Sequence, residues 1–167
     1  EQPCKILFIT HLGFVAAERG QFEEARQKIA TGLHLIQEMQ EPWLESLILV
    51  DLGRAELELG HEAVAPGYFL QSLNISKTLR WLMPALAALG GIAELRQRQG
   101  KHETAAELAS LVLHHSATEH VHKEHAQTLL ASSNLAKAKL TAAIERGKKL
   151  SAERVRDELL HHQTITT

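Results

Sequence analysis

The chain has 167 residues, 18 Lys+Arg against 20 Asp+Glu for a net charge of −2, 44% hydrophobic residues and 4% aromatics. That is the composition of a folded domain that buries roughly 70% of its unfolded surface, not of a disordered tail. One cysteine, Cys4, excludes a disulfide framework and a cysteine-based zinc site. No apolar run reaches the ~18 residues of a membrane helix, and the near-zero charge gives no general affinity for nucleic acid. No secretory signal is visible, so a reduced, cytoplasmic setting is the expectation. The chain opens on Glu1 rather than Met with a helical pattern already running by Ile6, which reads as a piece of a longer protein.

Taken in chain order, the elements repeat. Residues 5–19, 43–59 and 82–99 carry apolar side chains at helical spacing, and each run meets a glycine. These glycines, Gly20, Gly60 and Gly100, are evenly spaced and define the period of the repeat. Glycine enters the left-handed conformation that ends a helix. An acid follows each glycine within a few positions, suited to the positive end of a second helix over 22–38, 62–79 and 102–115. Each unit is then a hairpin of antiparallel helices. Ala25, Ala65 and Ala105 keep the period, as do Gly13, Gly53 and the small Ala93, which predicts close approach of Gly13 to Ala25, Gly53 to Ala65 and Ala93 to Ala105. Pro42 and Pro84 fit first helical turns, whereas Pro66 requires the 62–79 helix to begin later or to bend.

After 118 the register decays. Residues 119–132 form the first helix of a fourth unit, but residue 140 is Leu and residue 145 is Glu where the period calls for Gly and Ala. The stretch 133–162 reads as two shorter cap helices, one ended by Gly147 and the next capped by Ser151, and 163–167 as a frayed tail. The expected organisation is therefore all-α: units at about 5–40, 41–80 and 81–118, a fourth first helix, then the cap.

The segments LGFVAAERGQFEEA, LGRAELELGHEAVA and IAELRQRQGKHETA resemble tetratricopeptide (TPR) repeats. They are lengthened beyond the usual TPR unit of about 34 residues. Such repeats are similar to those in the C-terminal helical domains of bacterial signalling ATPases (the STAND type) and maltose-regulator-like transcription regulators. The resemblance implies a right-handed α-α superhelix whose first helices line a concave groove. It places Leu7, Thr10, Phe14, Ala17 and Glu18 there from the first unit. From the second come Leu47, Val50, Arg54, Leu57 and Glu58, and from the third Ala87, Gly90, Glu94, Gln97 and Arg98. For Leu47, Val50 and Leu57 ordinary interhelix packing is the competing reading. The Lys/Asn set by which some TPR proteins clamp a carboxyl terminus is missing. The implied role is non-catalytic: binding a protein, peptide or ligand, or an adjacent switch domain of the same polypeptide. Pairing of the 1–19 face with a second copy is the alternative.

Other chemistry finds little support in the residues. His114, His115, His120, His122 and His125 cluster, but without HExxH or cysteine they read as surface and loop histidines, with no metal expected. There is no GxSxG, Walker loop or GxGxxG, so neither an enzyme site nor a cofactor is expected. Residues 137–156 hold seven basic residues against two acids, a local net charge of +5. Without aromatics to stack on bases this reads first as a solvated cap face, with nucleic-acid contact through 137–156 as the further alternative.

Overall fold

The structure, a computed structural model, describes residue 13 and residues 15–166, with side chains followed to residue 162. Every element among the described residues is an α-helix. A helical stretch carrying Gly13 and residues 15–18 comes first. It is followed by α1 (Phe22–Met39), α2 (Pro42–Glu58), α3 (Ala65–Leu79), α4 (Leu82–Arg98), α5 (His102–His114), α6 (His120–Ala131), α7 (Lys137–Gly147) and α8 (Ala152–Thr166). Two compact units divide the chain, Glu1–Ile75 and Ser76–Thr167, with the boundary inside α3.

The helix-ending glycines adopt the conformation their spacing predicts. Gly20, Gly60 and Gly100 have φ of 74°, 80° and 74°. Each amide donates to a carbonyl three residues back, as in Gly60 to Leu57 at 3.0 Å. The next residue then reaches five back: Gln21 to Ala16, His61 to Glu56 and Lys101 to Arg96, at 2.9, 2.8 and 2.8 Å. These are Schellman turns, which satisfy carbonyls that a helix end leaves open. The same turn recurs at Gln40 and Arg80, with φ of 55° and 51° and bonds from Glu41 to Ile36 and from Trp81 to Ser76. No glycine marks these two, and the sequence reading did not anticipate them. Among the described residues, left-handed turns thus stand in even steps at Gly20, Gln40, Gly60, Arg80 and Gly100.

Pro66 decides where α3 begins. A proline ring clashes with the carbonyl four residues back, here that of Glu62. Residues 62–64 accordingly form a turn in which Val64 and Ala65 both donate to the carbonyl of His61, and α3 starts at Ala65 rather than at 62. Glu62 is left outside the helix whose start it was expected to serve. At the other end of the chain, α8 continues to Thr166 through the stretch expected to fray. Extending a formed helix requires no new nucleus.

Small residues set how closely the helices approach. In the first unit a Cβ on Gly13 would stand 2.8 Å from Ile29 Cγ1 and 3.4 Å from the Ala25 carbonyl. A Cβ on Gly53 would stand 2.6 Å from Phe69 Cε1, so Phe69 rather than Ala65 is the neighbour that demands glycine. Ile29 and Phe69 are equivalent in the period, and their third member is Ala109, buried like its counterpart Ala93. Glycine therefore stands opposite a large side chain twice, and alanine takes both places in the third hairpin. Ala25, Ile29 and Ile36 of α1 share a core with Ile48, Leu52 and Ala55 of α2. The Ser72 hydroxyl donates 2.7 Å to the Ser46 carbonyl, and both serines are fully buried.

In the second unit α4 is buried without interruption from Pro84 to Leu95. Helix α5 packs on α4, α6 and α7, while α8 returns to α4. Gly147 closes α7, but its φ is not positive. Its role is close approach, since a Cβ there would strike the Glu107 carbonyl and stand 2.6 Å from Ser110 Cβ. Ser151 caps α8 by accepting the Arg154 amide at 3.3 Å.

Candidate partner-binding face

The groove positions separate by burial. Leu7, Thr10 and Phe14 lie outside the described residues. Val50 and Leu57 are 1% and 0% exposed and Ala87 and Gly90 are buried, so these four are packing residues. Ala17, Leu47, Arg54 and Gln97 keep partial exposure, while Glu18, Glu58 and Arg98 are exposed. Along α2 and α4 most apolar members are therefore enclosed, and the accessible members are mostly polar.

In the first unit the polar members include a residue that sequence reasoning passed over. Asp51 sits on α2 within the apolar run LILVDLG, three residues before Arg54. Burial pushes its carboxyl up to about 7, against the opposing pull of the Arg54 charge. The two do not meet in a hydrogen bond. Arg54 Nε and Nη2 are enclosed and have no hydrogen-bond partner among the described residues. An arginine fork desolvated without an acceptor is costly, and such groups are rare in folded proteins. The sequence did carry a signal, an acid and an arginine interrupting the otherwise apolar stretch 47–55, but only burial shows that they are unmatched.

In the second unit the position equivalent to Arg54 is Glu94, and it is paired. Arg98 holds its carboxylate at 3.0 Å from Nε and 2.5 Å from Nη2. His125 of α6 brings Nε2 to 3.3 Å of the other oxygen. Burial raises the Glu94 carboxyl, but the His125 and Arg98 side chains beside it outweigh this and hold it below the usual range. Gln97 adds a 3.0 Å bond to Ser132 Oγ, so polar contacts tie α4 to the α6 end of this unit.

The histidines are used singly. His114 Nδ1 lies 2.9 Å from the Ser110 carbonyl, His115 accepts the Ala117 amide at 3.1 Å, and His120 stands 3.2 Å from Glu124. Among the described residues no three His, Cys, Asp or Glu side chains converge as a metal would require. Ser110 Oγ comes within 3.4 Å of His114 Nδ1, yet it donates to the Ile144 carbonyl and is fully buried, out of reach of any substrate.

The basic stretch is largely neutralised. Arg146 bridges Glu103 and Glu107, Lys139 approaches Glu103, Lys148 pairs with Glu145, Arg154 with Glu158 and Arg156 with Asp157. Those from Arg146 and Lys139 hold α7 to α5, and together with the Lys148 and Arg154 pairs they occupy charge that would otherwise face a polyanion. No helix among the described residues is long and apolar enough to cross a membrane. Comparison with known proteins finds no matching protein family, no matching curated protein and no matching solved structure.

Proposed function

We propose that the chain is a non-catalytic, TPR-like α-α superhelical module that binds a protein or ligand along the face of its first helices. In this reading it serves a larger bacterial signalling or transcription regulator in the cytoplasm, where occupancy biases an adjacent switch domain. The common register of Gly20, Gly60 and Gly100 and their equivalent turns support the repeat. One observation carries the binding reading: Arg54, partly exposed on a first helix, has two enclosed guanidinium nitrogens with no acceptor among the described residues. Turned outward through the exposed part of the side chain, these nitrogens would meet a partner's carboxylate or carbonyl, and a planar fork recognises a carboxylate at both oxygens. Glu94, the equivalent residue one repeat on, already has its partners, so Arg54 is the position that selects.

Selection of a random peptide library on the whole chain and on Arg54→Met tests this. The wild type enriches sequences with a shared acidic residue, and the variant, which keeps the length of the side chain, loses that enrichment. Equal enrichment by both, or none by the wild type, rejects the reading.

A further inference from the structure

A second feature lies entirely within the Ser76–Thr167 unit and is independent of the groove. A cavity of about 250 Å³ is lined by Lys77, Arg80, Leu82, Glu153 and Arg156. Three cations reach it from three places: Lys77 from the last turn of α3, Arg80 from the left-handed turn after it, and Arg156 from α8. The acids nearby are already engaged. Asp157 Oδ1 accepts Arg156 Nε at 2.9 Å and stands 3.4 Å from Lys77 Nζ, so one oxygen serves two cations. The Glu153 carboxylate is held below its usual range by its own backbone amide and by the Ser151 hydroxyl, at 2.8 Å, which turn it toward the start of α8.

Arg80 has no acidic partner among the described residues. Arg156 is only 8% exposed, and beyond its Nε bond to Asp157 the rest of its fork meets no acceptor among the described residues. Few arginines are so buried. Leu82 opens α4 and lines the cavity, so the positive end of that helix also borders it.

We propose that this cavity is an oxyanion site that takes the phosphate group of a small phosphate-bearing molecule. The volume falls below the roughly 300–1,000 Å³ of pockets that enclose drug-sized ligands, which suits a single charged head group. A dianion matches three converging cations better than a carboxylate does. The Arg156 fork offers parallel donors, and Lys77 and Arg80 supply charge at the mouth. Bound there, a phosphate would join the end of α3, the start of α4 and the start of α8.

Calorimetric titration of the whole chain tests the site. Inorganic phosphate and glycerol phosphate are the probes, in chloride buffer of constant ionic strength. Both saturate the wild type. Arg80→Asn weakens both about tenfold, the effect of losing one charged donor, and so does Lys77→Gln. Asparagine tolerates the left-handed turn at 80 and both positions are exposed, so the variants fold. Circular dichroism confirms this. If only inorganic phosphate binds, the cavity does not hold a phosphate on a larger molecule and the proposal falls. It falls equally if neither probe saturates or if the double variant binds as the wild type does.

Discussion

Replacing Asp51 with Asn should stabilise the protein, and by an amount that depends on pH. The unfolded carboxyl titrates near 3.8, while burial holds the folded one near 7. Below the lower value both states keep the proton and the wild type loses nothing. Between the two values the unfolded chain releases its proton and the folded chain does not, so folded stability falls as pH rises. Above the upper value both states are ionised and the loss is constant. Three pKa units correspond to about 4 kcal/mol as an upper bound. Asp51 keeps part of its surface in water, which reduces the expected loss to about 2 kcal/mol. Asparagine copies the shape of the protonated acid without the proton equilibrium. Urea unfolding followed by circular dichroism should therefore show Asp51→Asn gaining about 1 kcal/mol more at about pH 8 than at about pH 5. A gain that does not change across that range, or a loss at the higher pH, refutes the assignment of a buried, desolvated carboxyl.

Three further outcomes follow from the packing and the turns. A Cβ at Gly60 meets nothing within 4 Å, so Gly60→Ala isolates the backbone cost of the left-handed turn, about 1–2 kcal/mol by urea unfolding; Gln40→Gly should raise stability by up to about 1 kcal/mol. Gly53→Ala should destabilise by about 1–3 kcal/mol through its clash with Phe69. In the double variant Gly53→Ala/Phe69→Ala that clash energy should disappear, leaving a non-additive double-mutant cycle. Glu94→Gln should cost about 1.5–3 kcal/mol near neutral pH. The folded carboxyl lies below its ordinary value of 4.5, so its contribution is present above that value and fades as pH falls through the folded one. A Glu94→Gln cost independent of pH in thermal melts contradicts the charge assignment.

The period of glycines and alanines made the helices and three of the five left-handed turns legible, because those turns need a residue without a Cβ. The turns at Gln40 and Arg80 were invisible for the complementary reason: an ordinary side chain occupies a conformation that its identity does not advertise, and only the bonds from Glu41 and Trp81 reveal it. Sequence spacing pointed correctly to small residues at 13 and 53. It could not say that Phe69, one helical turn beyond Ala65, is what Gly53 accommodates, since that depends on how the two helices cross. The candidate face was partly legible. Arg54, Glu94 and Arg98 could be named from their positions, but whether each charge finds a partner is a matter of distance. Asp51 went unnoticed because an acid beside an arginine on a helix reads as an ordinary surface pair until its burial is known. The Lys77–Arg80–Arg156 cavity joins residues far apart in the chain through the return of α8 to α4, which no local pattern encodes.

The even spacing of the left-handed turns also restricts how this chain can change length. An insertion or deletion of one whole period between equivalent points keeps the left-handed turns in step. Removal of 41–80, for example, brings Trp81 directly behind Gln40 and restores the same bonded turn, with first and second helices in their proper alternation. A change of half a period preserves the turns but exchanges the two helix roles, setting Leu33 and Leu73 in the places that Gly13 and Gly53 hold. Any other length misplaces the turns themselves. Recombination in such a gene is therefore filtered by phase, and variants that gain or lose whole hairpins are the ones expected to survive as folded proteins.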